Sequence, residues 1–223
     1  RVNMGKYFFK RWPLIIAFTL GIFFISEIGF SNCKIEKAQD FLKREFIASF
    51  KNNKLQKKAL QRSIEYRFNN YGSVDHLQPA PENFIQVKFL GLNVEIHEKI
   101  KSKLECAEAA ILNYCEVRSP MSYVPSRLSG ARRSNTYRGG EISNHMFGIA
   151  IDIDPDKNPC CGCVDPWPNH PRCKIKTKYF WEKMEMPLCW VNAFELYGFY
   201  WLGWDKDLRD TMHFEYLGDP NLN

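Results

Sequence analysis

No internal repeat and no low-complexity segment runs through this chain, so it does not read as an array of small stacked units. It also lacks a large excess of either charge, since 31 Lys and Arg against 25 Asp and Glu leave a formal +6. Part of that excess sits at Arg1, Lys6, Lys10 and Arg11. The body of the chain is therefore too weakly basic to read as a nucleic-acid binder, although mild basicity suits an anionic wall or membrane surface. Wholesale disorder is excluded by 45% hydrophobic and 15% aromatic residues, which call for a packed core. The 223 residues leave room for one ordinary domain with appendages rather than for two full cores.

What is present begins with "KYFFKRW" followed by "PLIIAFTLGIFFIS", a basic stretch and then an apolar one. That is the anatomy of an export signal or an uncleaved anchor. An A-x-A cleavage site is missing, Met4 is a candidate start, and "FSNC" ending at Cys33 is a poor lipidation box. Residues 1–33 are accordingly read as signal peptide or membrane anchor, and the remainder as exported, in the periplasm or cell envelope. Eight cysteines in such a chain read first as disulfide partners. Cys106 and Cys115 fall in a helical stretch, where nine positions turn the chain through about 900° and put them on opposite faces. They should not pair with each other. For "CCGCVDPWPNHPRC", with Cys160, Cys161, Cys163, Cys173 and His170, disulfides are expected ahead of a structural metal.

From Ile35 to Asn69 the chain is Lys-rich, with apolar residues at helical spacing. One or two surface helices are expected there, and residues 34–80 are read as a helical spacer. The turn-rich "NNYGSVDHLQPAPENF" marks a boundary, leaving 81–223 as the functional domain. "FIQVKFLGLNVEIH" predicts a strand pair broken at Gly91, followed by a helix to Cys115. "KYFWEKMEMPLCWVNAFELYGF" predicts a helix ending at Gly198, and "YWLGW" and "MHFEYL" predict short closing strands. Strands and helices that do not alternate regularly give an α+β class: a small antiparallel sheet with flanking helices.

Chemistry concentrates in two places. In "EISNHMFGIAIDID", Ile149, Ile151 and Ile153 share one strand face and Gly148, Ala150, Asp152 and Asp154 the other. Gly148 lets the chain bend so that His145 returns over the strand towards Asp152. In "DKDLRDTMHFEYLG", Asp210 and His213 are spaced for one tight turn, and the alternation after it puts His213 and Glu215 on one face. Two His and one Asp complete an open zinc ligand set, and a nearby carboxylate can take a proton from water. Glu215 is expected to orient a ligand, Asp154 to serve a turn, and Trp201 and Trp204 to be core or groove wall. His76, His97 and His170 have no partner at ligand spacing and read as surface or structural.

"SNHMFGIAID" and "DTMHFE" together resemble the S-x-H-x-x-G-x-A-x-D and D-x-x-H signatures of the zinc D,D-carboxypeptidase and L-alanyl-D-glutamate endopeptidase family. That family includes the vancomycin-resistance D,D-carboxypeptidases and phage endolysin peptidases. The resemblance spans residues 84–218, with "YGFYWLGW" just before the second motif. It implies a hedgehog/D,D-peptidase-like zinc fold, Zn2+ held by His145, Asp152 and His213, Asp210 as general base, and Ser143 as a supporting donor. It also implies an upstream arginine that holds substrate. The candidates are Arg127, Arg132, Arg133 and Arg138, with Arg127 and Arg133 put forward, because a guanidinium can grip a carboxylate with two bonds. The expected substrate is the peptide part of peptidoglycan, with membrane contact through the N-terminal segment and no nucleic acid. Two other classes compete: a non-catalytic zinc-stabilised wall-binding domain of the same fold, and a disulfide-rich interaction protein with a chance His/Asp pattern.

Overall fold

The alternating stretch 84–97 folds back on itself at Leu90 and Gly91, whose φ angles of 49° and 81° are both positive. Two such residues give a tight turn whose twist matches that of the flanking strands. Strands β1 (Phe84–Phe89) and β2 (Leu92–His97) thus pair antiparallel with Phe89 opposite Leu92. The computed structural model describes residues 33–74, 83–115, 123–135, 141–164 and 166–222. A second sheet has the order β3-β4-β6-β5, all antiparallel, from β3 (Leu128–Ser129), β4 (Ala150–Ile153), β5 (Phe199–Trp201) and β6 (His213–Tyr216). Helices α1 (Arg44–Ala48), α2 (Asn53–Tyr71), α3 (Lys101–Ala110) and α4 (Leu188–Glu195) flank these sheets. The α+β class with small antiparallel sheets is therefore the observed one.

One main core joins these elements. Ile149, Ile151 and Ile153 are buried in it beside Phe194, Phe199, Phe214 and Tyr216, and the Phe194 and Phe214 rings stack at 4.1 Å. The strand-face assignment of the isoleucines holds for the reason given above: the period of a strand is two. Trp201 is fully buried and donates its indole N–H to the Thr211 carbonyl at 2.9 Å, so it is core.

Two expectations need correction. The helix anticipated over 178–198 is only α4, because Pro187 lacks the N–H that would extend it backwards and sits at its N-cap. Upstream of Pro187 the chain makes only a 3-10 turn at Phe180–Lys183. The second correction concerns the spacer. Its helices form, but Ser31–Asn223 make up one compact unit, with no division near residue 80. Leu42 packs with Tyr200, Leu202 and Leu217. Glu36 bridges to Tyr197, and Gln39 N–H donates to the Leu217 carbonyl at 2.9 Å. The Lys-rich composition had masked these few apolar anchors.

All eight cysteines are paired: Cys33–Cys106, Cys115–Cys189, Cys160–Cys163 and Cys161–Cys173. Cys106 and Cys115 do take different partners, the cysteine cluster is disulfide-bonded, and Cys33 has no thiol left for lipidation. Four disulfides suggest an extracellular or exported chain. The signal or anchor read over 1–33 lies, apart from Cys33, outside the described residues, as do His76 and Arg138. Among the described residues no helix is long and apolar enough to cross a membrane.

Candidate metal centre

His145 stands on a 3-10 turn, Asn144–Phe147, that Ser143 caps by accepting the His145 backbone N–H at 3.4 Å. Gly148 ends the turn in the left-handed conformation, φ 67°. A Cβ there would lie 2.8 Å from the His97 nitrogen, so both the φ and the space demand glycine. The chain then reverses into β4, where Asp152 pairs directly opposite His213 of β6, and Ala150 opposite Glu215. Register thus carries His213 and Asp152 to one face, and the glycine-ended turn folds His145 over them.

The resulting distances fit a metal. His213 Nδ1 is 2.9 Å from Asp152 Oδ1, His145 Nε2 is 3.2 Å from that oxygen, and the two imidazole nitrogens are 3.2 Å apart. Ligands about 2.0–2.1 Å from a tetrahedral zinc sit about 3.3 Å from one another, nearly the same triangle. These three side chains could hold a metal ion. Each outer atom is also occupied: His145 Nδ1 faces the Gly130 carbonyl at 2.6 Å and His213 Nε2 faces Glu215 at 3.4 Å. A ring nitrogen that donates outward leaves its partner nitrogen bare for a metal. Asp152 uses Oδ2 to accept from Arg132 at 2.5 Å, which leaves Oδ1 for the triangle.

The ionisable groups act strongly on one another. Burial pushes the Asp152 carboxyl up, but the two histidines outweigh it and hold it well below the usual carboxylate range. Burial likewise opposes ionisation of Glu215, and His213, Arg67 and Asn144 overcome it. The charged form of His213 is disfavoured by burial, yet Asp152 and Glu215 push it up to about 10. Two ionised carboxylates, Asp152 and Glu215, thus face His213.

Asp210 lines the same cleft, about 830 Å³, as His145, Asp152, His213 and Arg132. Its carboxyl takes a backbone hydrogen bond from Met212, while Oδ1 is enclosed with no hydrogen-bond partner among the described residues. Burial, with Asp152 adding to it against His213, pushes its pKa up to about 7. The disulfide loop holds this residue in place. Cys160 bridges to Asp210, Cys161 N–H donates to the Arg209 carbonyl at 3.3 Å, and Gly162 N–H to the Leu208 carbonyl at 2.6 Å. A Cβ on Gly162 would collide with the Asp207 and Leu208 carbonyls. Cys160, Cys163 and Asp210 also cluster closely, but the two sulfurs are spent on each other.

The arginines separate. Arg132 reaches the triad and Arg127 lies on the cleft rim, paired with Asp156 at 3.2 Å. Arg133, put forward above, turns instead to Glu95 at 2.8 Å and over the Phe84 ring, away from the cleft. Ser143 is buried and spends its hydroxyl on capping. Asp154 does more than serve a turn, because it accepts from Tyr123, Ser126 and the Arg127 N–H and so pins the loop that leads into β3. Sequence reasoning did not find Gly130, whose carbonyl faces His145, or Asn144 and Arg67, which lead through Glu215 towards His213. His97 is fully buried, and His170 caps the turn at Pro171–Lys174.

Residues 136–216, which contain both motifs, match the family model described as D-alanyl-D-alanine carboxypeptidase. The resemblance read from those motifs therefore holds over the stretch that carries them. No curated protein and no solved structure matches the chain.

Proposed function

We propose, with the D-alanyl-D-alanine carboxypeptidase family match over residues 136–216 as premise, that this chain is an exported zinc peptidase of the peptidoglycan peptide. In this reading His145, Asp152 and His213 hold the ion in a D,D-peptidase-like fold. A zinc ion bound there supplies a Lewis acid that polarises a carbonyl and acidifies water. The rest falls to the chain's own residues. Asp210, with one oxygen unengaged among the described residues and its pKa pushed up to about 7 by burial, accepts the proton of the attacking water and returns it to the leaving amine. Arg132 fixes Asp152 and sets a positive charge at the cleft wall, and Arg127 offers a second from the rim to the substrate carboxylate. Substrate specificity between a terminal D-Ala-D-Ala bond and an internal L-Ala-D-Glu bond belongs to the groove between these arginines and the disulfide loop. The N-terminal segment serves export and contact with the membrane.

The observation that carries catalysis over wall binding is Asp210. A structural zinc needs no enclosed carboxylate with an unengaged oxygen beside its open side. Metal analysis tests the centre: the purified chain should contain one zinc per molecule and His213→Ala close to none. Full occupancy in a folded His213→Ala protein would remove His213 from the ligand set.

A further inference from the structure

Helix α2 buries a polar stripe, Ser63, Arg67 and Tyr71, one residue every turn on one face. The Arg67 guanidinium has every nitrogen committed. It donates to the Leu42 carbonyl at 3.1 Å, to the Ser63 carbonyl at 3.0 Å, and through Nε to Asn144 Oδ1 at 2.6 Å. Because a guanidinium only donates, this last bond fixes which way the Asn144 amide points. Its Nδ2 then donates to Glu215 Oε2 at 2.5 Å, the same oxygen that faces His213 Nε2.

We propose that Arg67, acting through Asn144 and Glu215, is a positioning residue for the metal ligand His213, so that α2 is part of the catalytic apparatus. The proposal rests on reading the triad as a zinc site. It adds to that reading a residue outside the matched stretch 136–216. The relay works by exclusion. With Arg67 in place, Asn144 can present only its N–H groups to Glu215, and Glu215 can present only an acceptor to His213. The imidazole must then donate from Nε2 and keep Nδ1 bare towards Asp152 and His145. Without Arg67 the amide is free to flip, its oxygen opposes the carboxylate, and Glu215 loses a buried countercharge. Asn144 immediately precedes His145, so the same amide also steadies the turn that carries the first ligand.

The test is a double-mutant cycle read by zinc affinity, measured by competition with a chromophoric chelator. It uses the full chain, Arg67→Met, Glu215→Gln and the combination. Partners that hold a ligand in orientation are typically worth 10–100-fold in metal affinity, so each single change should weaken zinc by about that factor. The combination should be no weaker than Glu215→Gln alone, because the relay is already cut. An equal loss in both backgrounds would mark Arg67 as a helix anchor only and overturn the proposal, as would unchanged affinity in Arg67→Met. Should Arg67→Met fail to fold, Asn144→Ala enters the same cycle with the same two outcomes. A parent chain that binds no zinc would overturn the zinc-site reading itself, whereas a zinc-binding parent indifferent to Arg67 would overturn this inference alone.

Discussion

At the scale of single residues, three carboxylates near one metal triangle have different tasks because their neighbours differ. Asp152 has one oxygen on Arg132 and one on the histidines, Glu215 receives Asn144 and His213, and Asp210 keeps an oxygen unengaged among the described residues. Asp210→Ala should therefore leave zinc content and folding near normal while hydrolysis falls at least about a hundredfold, the usual scale for a lost general base. Glu215→Ala should do the reverse and weaken zinc first. Steady-state rates and metal content measured on both proteins separate the two roles. A residue outside the triangle gives a pH prediction. His97 is buried between Tyr71 and Phe84, and burial, with Lys99 adding to it, lowers its pKa from 6.5 to about 4. The unfolded chain then binds the extra proton between those values, so stability rises with pH through that window and is flat above it for this group. The effect is at most about 3 kcal/mol. Urea unfolding across that range should show a shallower slope for His97→Phe than for the parent.

Elements explain what could be read from the sequence and what could not. Strand alternation put Asp152 opposite the isoleucines in one strand and His213 with Glu215 in another, since a period of two leaves no choice once the strands exist; the register that joins the two faces comes from the fold. The arginines could not be sorted that way. Arg132 and Arg133 are neighbours that diverge to Asp152 and Glu95 according to a loop path that no period encodes. Helix α2 was legible as a helix but not as part of the site, because its buried face is Ser, Arg and Tyr rather than an apolar stripe. Pro187, by contrast, was a visible stop, and the aromatic run around it had obscured the fact. The disulfide loop beside Asp210 supplies the prediction at this scale. Cys160→Ala/Cys163→Ala should loosen the bridge to Asp210 and lower kcat by about tenfold to a hundredfold, the cost of a small misplacement. Zinc content should stay near that of the parent, and measuring kcat and metal together checks the claim.

For the whole molecule, the decisive feature is that residues 33–74 belong to the folded body. Cys33–Cys106 closes a loop of sequence separation 73, and replacing both with Ser should cost about 2–4 kcal/mol in chemical denaturation. A chain beginning at residue 83 would expose Leu202 and Leu217 and lose Arg67, and it should show a broadened or absent unfolding transition by circular dichroism. The spacing of polar and apolar residues gave the helices of this segment but hid its docking, which depends on one disulfide, one guanidinium and a few apolar side chains. The account as a whole rests on the cleft cutting wall peptide with a metal at its base. Mass spectrometry of purified muropeptides incubated with the full chain tests this most directly. It should show loss of terminal D-Ala or cleavage inside the stem peptide, abolished by chelation, restored by zinc and absent with Asp210→Ala. Intact muropeptides retained by a zinc-loaded chain, or cleavage that persists after chelation, would contradict it.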